Sequence, residues 1–214
     1  MDRHMDDLSD FFKQIKIIPV ITIEESDDAE PLAEALITGG LPCAEITFRT
    51  SAAPGVLRLL SGRTDILIGA GSVLNVEQSK LAVDCGAKFI VSPGFNPKVV
   101  QYCLEQEIPV TPGVCTPSEF TLSLDYGLSL LKFFPSEALG GLTTLQAMSA
   151  PFPMLKFIPT GGINPQNITM YLQAKQVLAC GGSWMVKKEF LKEKNFSKIK
   201  QLVAEAVTLV SQIK

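Results

Sequence analysis

Gly127-Leu-Ser-Leu-Leu-Lys-Phe-Phe-Pro-Ser-Glu137 is an apolar run of strand length that carries one lysine, Lys132, close to its exit. Continuous apolar runs mark strands covered on both faces, as in parallel sheets. Lysine is almost never fully buried unless it is paired. An ammonium group set between the leucines at 128–131 and Phe133-Phe134 therefore needs something to hold it and something to use it.

The same signal recurs on both sides of this run. Lys16-Ile-Ile-Pro-Val-Ile-Thr-Ile23 is the first continuous apolar stretch, and Ser26 is placed to cap a helix over 27–38 that stops at Gly39-Gly40. Strands then read over 43–48, 65–70, 88–91, 108–111, 128–134, 155–160 and 177–179. Helices alternate with them over 52–60, 76–84, 97–106, 117–124, 137–148 and 165–172, and a last helix over 197–213 closes the chain. Eight strands, each followed by a helix, in 214 residues predict an α/β fold of the (β/α)8 TIM barrel type. A short amphipathic segment over 6–14 adds an N-terminal helix. An open doubly wound sheet is the alternative, and the lack of a GxGxxG fingerprint after the first strand speaks against it. Residues 1–214 are read as one barrel domain, with 1–7 as a flexible tail.

Composition narrows the function. The chain is 46% hydrophobic and 19% charged, ample for a large core. A net charge of −3 does not suit a nucleic-acid partner. No apolar run approaches the ~20 residues that span a bilayer, and residues 1–7 have no apolar region of the kind a secretory signal needs. Cys43, Cys85, Cys103, Cys115 and Cys180 are scattered with no CxxC pair, which fits small core residues in a reducing compartment. The single histidine, His4, falls in the expected tail. A Ser-His-Asp or Cys-His mechanism then has no histidine to use, and a zinc site lacks its commonest ligands. Chemistry is left to lysine, carboxylates, hydroxyls and backbone groups.

Position selects the lysine. Lys16, Lys88 and Lys156 lie near the starts of their strands, at the barrel face associated with stability, whereas Lys132 lies near an end. A lysine snorkelling from the rim is the plain alternative. Strand alternation supplies partners. If Lys132 points inward, so do Leu128, Leu130 and Phe134. Cys43, Glu45, Thr47 and Arg49 share one face of the second strand, which puts a carboxylate inside the barrel and a guanidinium at its mouth. An ion pair between Glu45 and Arg49 is the competing expectation.

Several strand exits carry hydroxyls and glycines followed by a helix cap: Ser92-Pro93-Gly94 before Asn96-Pro97, Thr111-Pro112-Gly113 before Thr116-Pro117, and Thr160-Gly161-Gly162 before Asn164-Pro165. Good turn chemistry explains the caps. It does not explain why these groups gather at the C-terminal face, where such barrels keep their active sites. Gly161-Gly162 after the seventh strand and Gly181-Gly182-Ser183 after the eighth fit phosphate capture by backbone N–H groups. Together these features imply a Schiff-base enzyme acting on a phosphorylated carbonyl substrate. Lysine attacks a ketone only as the free amine, so apolar Leu130, Phe133 and Phe134 and the charge of Arg49 would favour the neutral form.

These stretches resemble those of the 2-keto-3-deoxy-6-phosphogluconate (KDPG) aldolases, class I aldolases of the Entner–Doudoroff pathway. The matching segments are Ile18-Pro19-Val20, Glu45-Ile-Thr-Phe-Arg49, Gly69-Ala-Gly-Ser-Val-Leu-Asn75, Phe89-Ile-Val-Ser-Pro-Gly94, Pro109-Val-Thr-Pro-Gly-Val114, Lys132-Phe-Phe-Pro135, Pro159-Thr-Gly-Gly-Ile163 and Gly181-Gly-Ser-Trp184. The resemblance implies Lys132 as the Schiff-base lysine and Glu45 as general acid/base. It implies Arg49, Ser72, Pro93 and Phe134 around a pyruvyl group, and Thr160, Gly161, Gly162, Gly182 and Ser183 at a phosphate end. Ser72 stands where threonine is common in the family, and Ser136 where alanine is. The resemblance further implies cleavage of KDPG to pyruvate and glyceraldehyde 3-phosphate, 4-hydroxy-2-oxoglutarate as a second substrate, no metal or cofactor, and a cytoplasmic homotrimer with no nucleic-acid or membrane partner. The galactonate epimer of the substrate, a phosphosugar isomerase and a non-catalytic phosphate-binding barrel remain as alternatives.

Overall fold

Short apolar strands paired in parallel form the centre of the computed structural model, which describes residues 3–213. The strand segments are β1 (Ile17–Ile21), β2 (Cys43–Thr47), β3 (Leu67–Gly71), β4 (Ile90–Val91), β5 (Val110–Thr111), β6 (Gly113–Val114), β7 (Leu130–Phe133), β8 (Lys156–Pro159) and β9 (Cys180–Gly182). The helices are α1 (Arg3–Ile15), α2 (Ala29–Thr38), α3 (Ala53–Leu60), α4 (Val76–Asp84), α5 (Pro97–Glu105), α6 (Pro117–Asp125), α7 (Gly141–Ser149), α8 (Ile168–Leu172), α9 (Lys188–Lys192) and α10 (Phe196–Ser211).

The order β5-β4-β3-β2-β1-β9 makes one arc and β6-β7-β8 the other. Pro112, which has no N–H to donate, interrupts a single stave into β5 and β6. Bridges from Phe157 to Val177 and from Thr160 to Gly181 join β8 to β9. The arcs therefore meet at both seams, and eight staves close as a (β/α)8 barrel.

Two cores follow from strand alternation. Residues facing the helices, among them Ile17, Ile46, Leu131 and Phe133, pack into the outer core. Residues facing the axis, Ile18, Cys43, Val91, Leu130, Ile158 and Ala179, pack with Leu8 and Phe12 of α1. The N-terminal helix thus plugs the N-terminal end of the barrel, and the Phe12 and Phe89 rings meet edge to face at 5.3 Å. Burial of each large apolar side chain stabilises by about 1.5–3 kcal/mol.

Several expectations need correction. Residues 3–7, expected as tail, belong to α1; residues 1 and 2 lie outside the described residues. The helix expected over 137–148 is a 3-10 turn, Glu137–Leu139, followed by α7, because Gly140 takes a left-handed φ of 98°. Asn164 does not cap α8. It accepts from the Gln166 N–H at 2.9 Å in a local turn, and the helix starts at Ile168. Ser26 opens a 3-10 turn and makes no side-chain cap. The eighth strand is Cys180–Gly182, three residues beyond the expected start, so Gly181 and Gly182 lie in the strand. Leu128 precedes β7 and packs in the outer core.

Candidate active site

Register sets the site. On β7, Lys132 lies opposite Gly113 of β6 and Ile158 of β8. On β2, Glu45 lies opposite Val20 of β1 and Gly69 of β3. All strands run the same way, so both side chains project into the barrel near its C-terminal face. Lys132 Nζ donates to Glu45 Oε1 at 3.0 Å across 87 residues of sequence. Lys132 is 5% exposed and Glu45 4%.

Neither charge could stay there alone. Removing one partner of a buried pair leaves an uncompensated charge, a loss of about 3–5 kcal/mol. The pair itself is weak evidence for stability, because desolvation offsets much of the attraction. Chemistry is the better reason to keep it. The Phe134 ring lies 5.4 Å from the Lys132 amine, an apolar face on its outward side. Phe133 faces the helices, so it does not shield the amine as the sequence reading expected.

Arg49 does not pair with Glu45. Its Nε donates to Ser72 Oγ at 2.9 Å, and Ser72 holds a left-handed φ of 55° just after β3. Beside it, the Thr22 and Thr47 hydroxyls bond at 2.9 Å.

A cavity of about 590 Å³ opens above the amine. Its wall includes Arg49, Lys132, Phe134, Thr160, Gly161, Gly162, Gly182 and Ser183, eight of the eleven residues predicted from sequence. Glu45 reaches it through Lys132, and Ser72 through Arg49. Pro93 is not on this wall; it is half-buried at the exit of β4, its carbonyl against Gly113. Gly161 and Gly162 take positive φ values of 96° and 85°, the conformations glycine adopts freely.

Three features of the site were missed from sequence. A Cβ on Gly71 would overlap the Glu45 carboxylate, so this glycine is the seat of that side chain. A Cβ on Gly181 would overlap the Thr160 hydroxyl, and one on Gly182 the Trp184 ring. Lys187, Lys188 and Glu189 add charge to the cavity rim. Only the glycine runs hinted at any of these, since what fills the space at a glycine comes from another strand.

Beneath the pair, burial and the Glu45 charge push the Cys43 thiol far up, so it stays protonated. Among the described residues, no group of three His, Cys, Asp or Glu side chains gathers as a metal site, and no helix is long and apolar enough to cross a membrane.

Comparison with known proteins finds relatives that span nearly the whole chain. The family model described as KDPG and KHG aldolase matches residues 8–202. A 2-dehydro-3-deoxy-phosphogluconate aldolase from Treponema pallidum is 44% identical over 199 residues, covering 92% of this chain and 95% of that protein. The crystal structure of the Legionella pneumophila KDPG aldolase, with pyruvate captured as a covalent carbinolamine, superposes with a TM-score of 0.89 at 43% identity, covering 92% and 96% of the two chains. The Zymomonas mobilis 2-keto-3-deoxy-6-phosphogluconate aldolase with 3-phosphoglycerate gives 0.90 at 36% identity, covering 96% and 97%.

Proposed function

The chain belongs to the KDPG and KHG aldolase family, and from that premise we propose that it cleaves 2-dehydro-3-deoxy-6-phosphogluconate to pyruvate and glyceraldehyde 3-phosphate through a Schiff base on Lys132. The observation that carries the reading is the buried Lys132–Glu45 pair at 3.0 Å, at the base of a glycine-walled cavity.

Attack needs the amine uncharged, and Glu45 is the group within reach to take its proton. The amine then adds to the C2 carbonyl: the N–C bond forms and the carbonyl pair moves to oxygen, which is protonated. Loss of that oxygen as water, with the proton returned by Glu45, gives the iminium. Removal of the C4 hydroxyl proton then breaks the C3–C4 bond. Its electrons pass into the iminium as an enamine, and the aldehyde leaves. Protonation at C3 and hydrolysis release pyruvate and restore Lys132.

Arg49, fixed by Ser72, is suited to grip the substrate carboxylate with its rigid fork. Phe134, on the cavity wall beside the amine, packs on the pyruvyl group, whereas the place of Pro93 off that wall gives the role implied for it by resemblance no support. Thr160, Gly161, Gly162, Gly182 and Ser183 receive the phosphate through backbone N–H groups and hydroxyls. The Zymomonas mobilis structure with 3-phosphoglycerate supports a phosphorylated ligand for this fold. The family description also supports 4-hydroxy-2-oxoglutarate as a second substrate, with a carboxylate at the phosphate end. The family resemblance supports a cytoplasmic homotrimer, which sedimentation of the purified protein would test.

Incubation with pyruvate followed by borohydride reduction fixes the imine. Peptide mass mapping should place the adduct on Lys132, and a Lys132→Ala variant should lack it. An equal adduct in that variant would sink the assignment, and product formation without any trapping would point to an isomerase.

A further inference from the structure

Behind the Gly161–Gly162 turn, outside the cavity wall, lies a polar cluster the proposed cycle does not use. Tyr171 of α8 is fully buried, and its hydroxyl reaches Glu137 Oε1 at 2.5 Å and Ser136 Oγ at 2.8 Å. An ionised carboxylate only accepts. The Tyr171 proton therefore goes to Glu137, and Ser136 donates to Tyr171. Burial first, and then the Glu137 carboxylate, push the Tyr171 hydroxyl well above its ordinary range, so it remains a donor.

The cluster grips the turn from behind. The Ser136 N–H donates to the Thr160 carbonyl at 2.8 Å, and the Glu137 N–H to the Gly161 carbonyl at 3.0 Å. A Cβ on Gly162 would lie 2.5 Å from Glu137 Cβ, and one on Gly141 would lie 2.8 Å from Glu137 Oε1. The Glu137 stem thus lies against Gly162 and its carboxylate against Gly141, where the Tyr171 hydroxyl tethers it.

We propose that Ser136, Tyr171 and Glu137 form a positioning network that sets the Gly161–Gly162 turn for the phosphate of the aldehyde half, without touching substrate. The network ties the exit of the Lys132 strand to the turn after β8. The inference rests on the reading of this turn as the phosphate end.

The test is aldol addition of pyruvate to glyceraldehyde 3-phosphate and to unphosphorylated glyceraldehyde, with deuterium exchange at the pyruvate methyl group as a control. Tyr171→Phe keeps the ring and removes only the hydroxyl. It should raise KM for the phosphorylated aldehyde roughly tenfold, the scale of one lost hydrogen bond to a charged group. It should leave kcat, the unphosphorylated aldehyde and pyruvate exchange within about twofold. Glu137→Gln, whose amide oxygen still accepts, should behave as wild type, whereas Glu137→Ala should match Tyr171→Phe. Equal losses for both aldehydes, or an unchanged ratio between them, would overturn the network while leaving the aldolase reading intact. A wild-type enzyme indifferent to the phosphate would overturn the phosphate end and the network together.

Discussion

Glu45 is under two demands at once: it is the counter-ion of Lys132, and in the proposed cycle it must also move protons. Both require its carboxylate at one place, and Gly71 leaves that place open, since any Cβ there would overlap it. Gly71→Ala should therefore displace Glu45 without removing any catalytic group. A misplacement near 1 Å can cost on the order of 100-fold, so kcat for cleavage should fall 10- to 100-fold while the variant still folds. Steady-state kinetics beside a urea melt would check this, and kcat within about twofold of wild type would contradict it. Lys132 and Glu45 were legible in the sequence because strand alternation fixes which face a residue takes. Gly71 was not, because a glycine carries no sign of what occupies its space. Phe133 misled for a related reason: neighbours along a strand face opposite ways, so only Phe134 comes near the amine.

The elements were legible where their ends carry chemistry. Asn75 accepts from the Gln78 N–H at 2.8 Å and Asn96 from the Lys98 N–H at 3.0 Å, while Glu119 closes back on Thr116 and the Cys115 N–H. Those side-chain caps fix the starts of α4, α5 and α6 close to the expected positions. The eighth strand slipped because Gly181-Gly182 has no side chain to show a period, and glycine reads as a turn. The position of α1 was not legible at all, since an amphipathic pattern does not say which core takes the apolar face. That core is the inside of the barrel, with Phe12 against Phe89. Phe12→Ala should destabilise by about 3–5 kcal/mol, seen as a lower urea midpoint. Because the plug lies at the end opposite the Lys132 cavity, kcat per folded molecule should stay near wild type. A loss under about 1 kcal/mol would mean that α1 is not seated in the barrel.

Across the whole molecule, eight repeats of strand and helix bring residues far apart in sequence to one mouth, and this was legible because the repeat itself was. The inner composition has a further consequence at high pH. Cys43, Cys103 and Cys180 are fully buried. Burial raises all three thiols above their ordinary 9.0, Cys103 to about 12, and the Glu45 charge adds to the effect at Cys43. In the unfolded chain these thiols ionise near their ordinary value, whereas in the folded barrel they keep their protons. The unfolded state therefore binds fewer protons above pH 9, and stability falls as pH rises. The contribution is fully present below pH 9. Each thiol removes about 1.4 kcal/mol per pH unit, so the three together remove about 4. Against a typical stability of about 5–15 kcal/mol, that slope would remove the barrel's stability over about one to four pH units above 9. Urea melts under reducing conditions at pH 8, 9, 10 and 11 would measure the slope. Cys103→Ala should reduce that slope by about a third, whatever it does to stability at pH 8. Stability that stays flat from pH 8 to 10 would show that the buried thiols ionise freely in the folded state, contrary to the dry interior on which the Lys132–Glu45 pair depends.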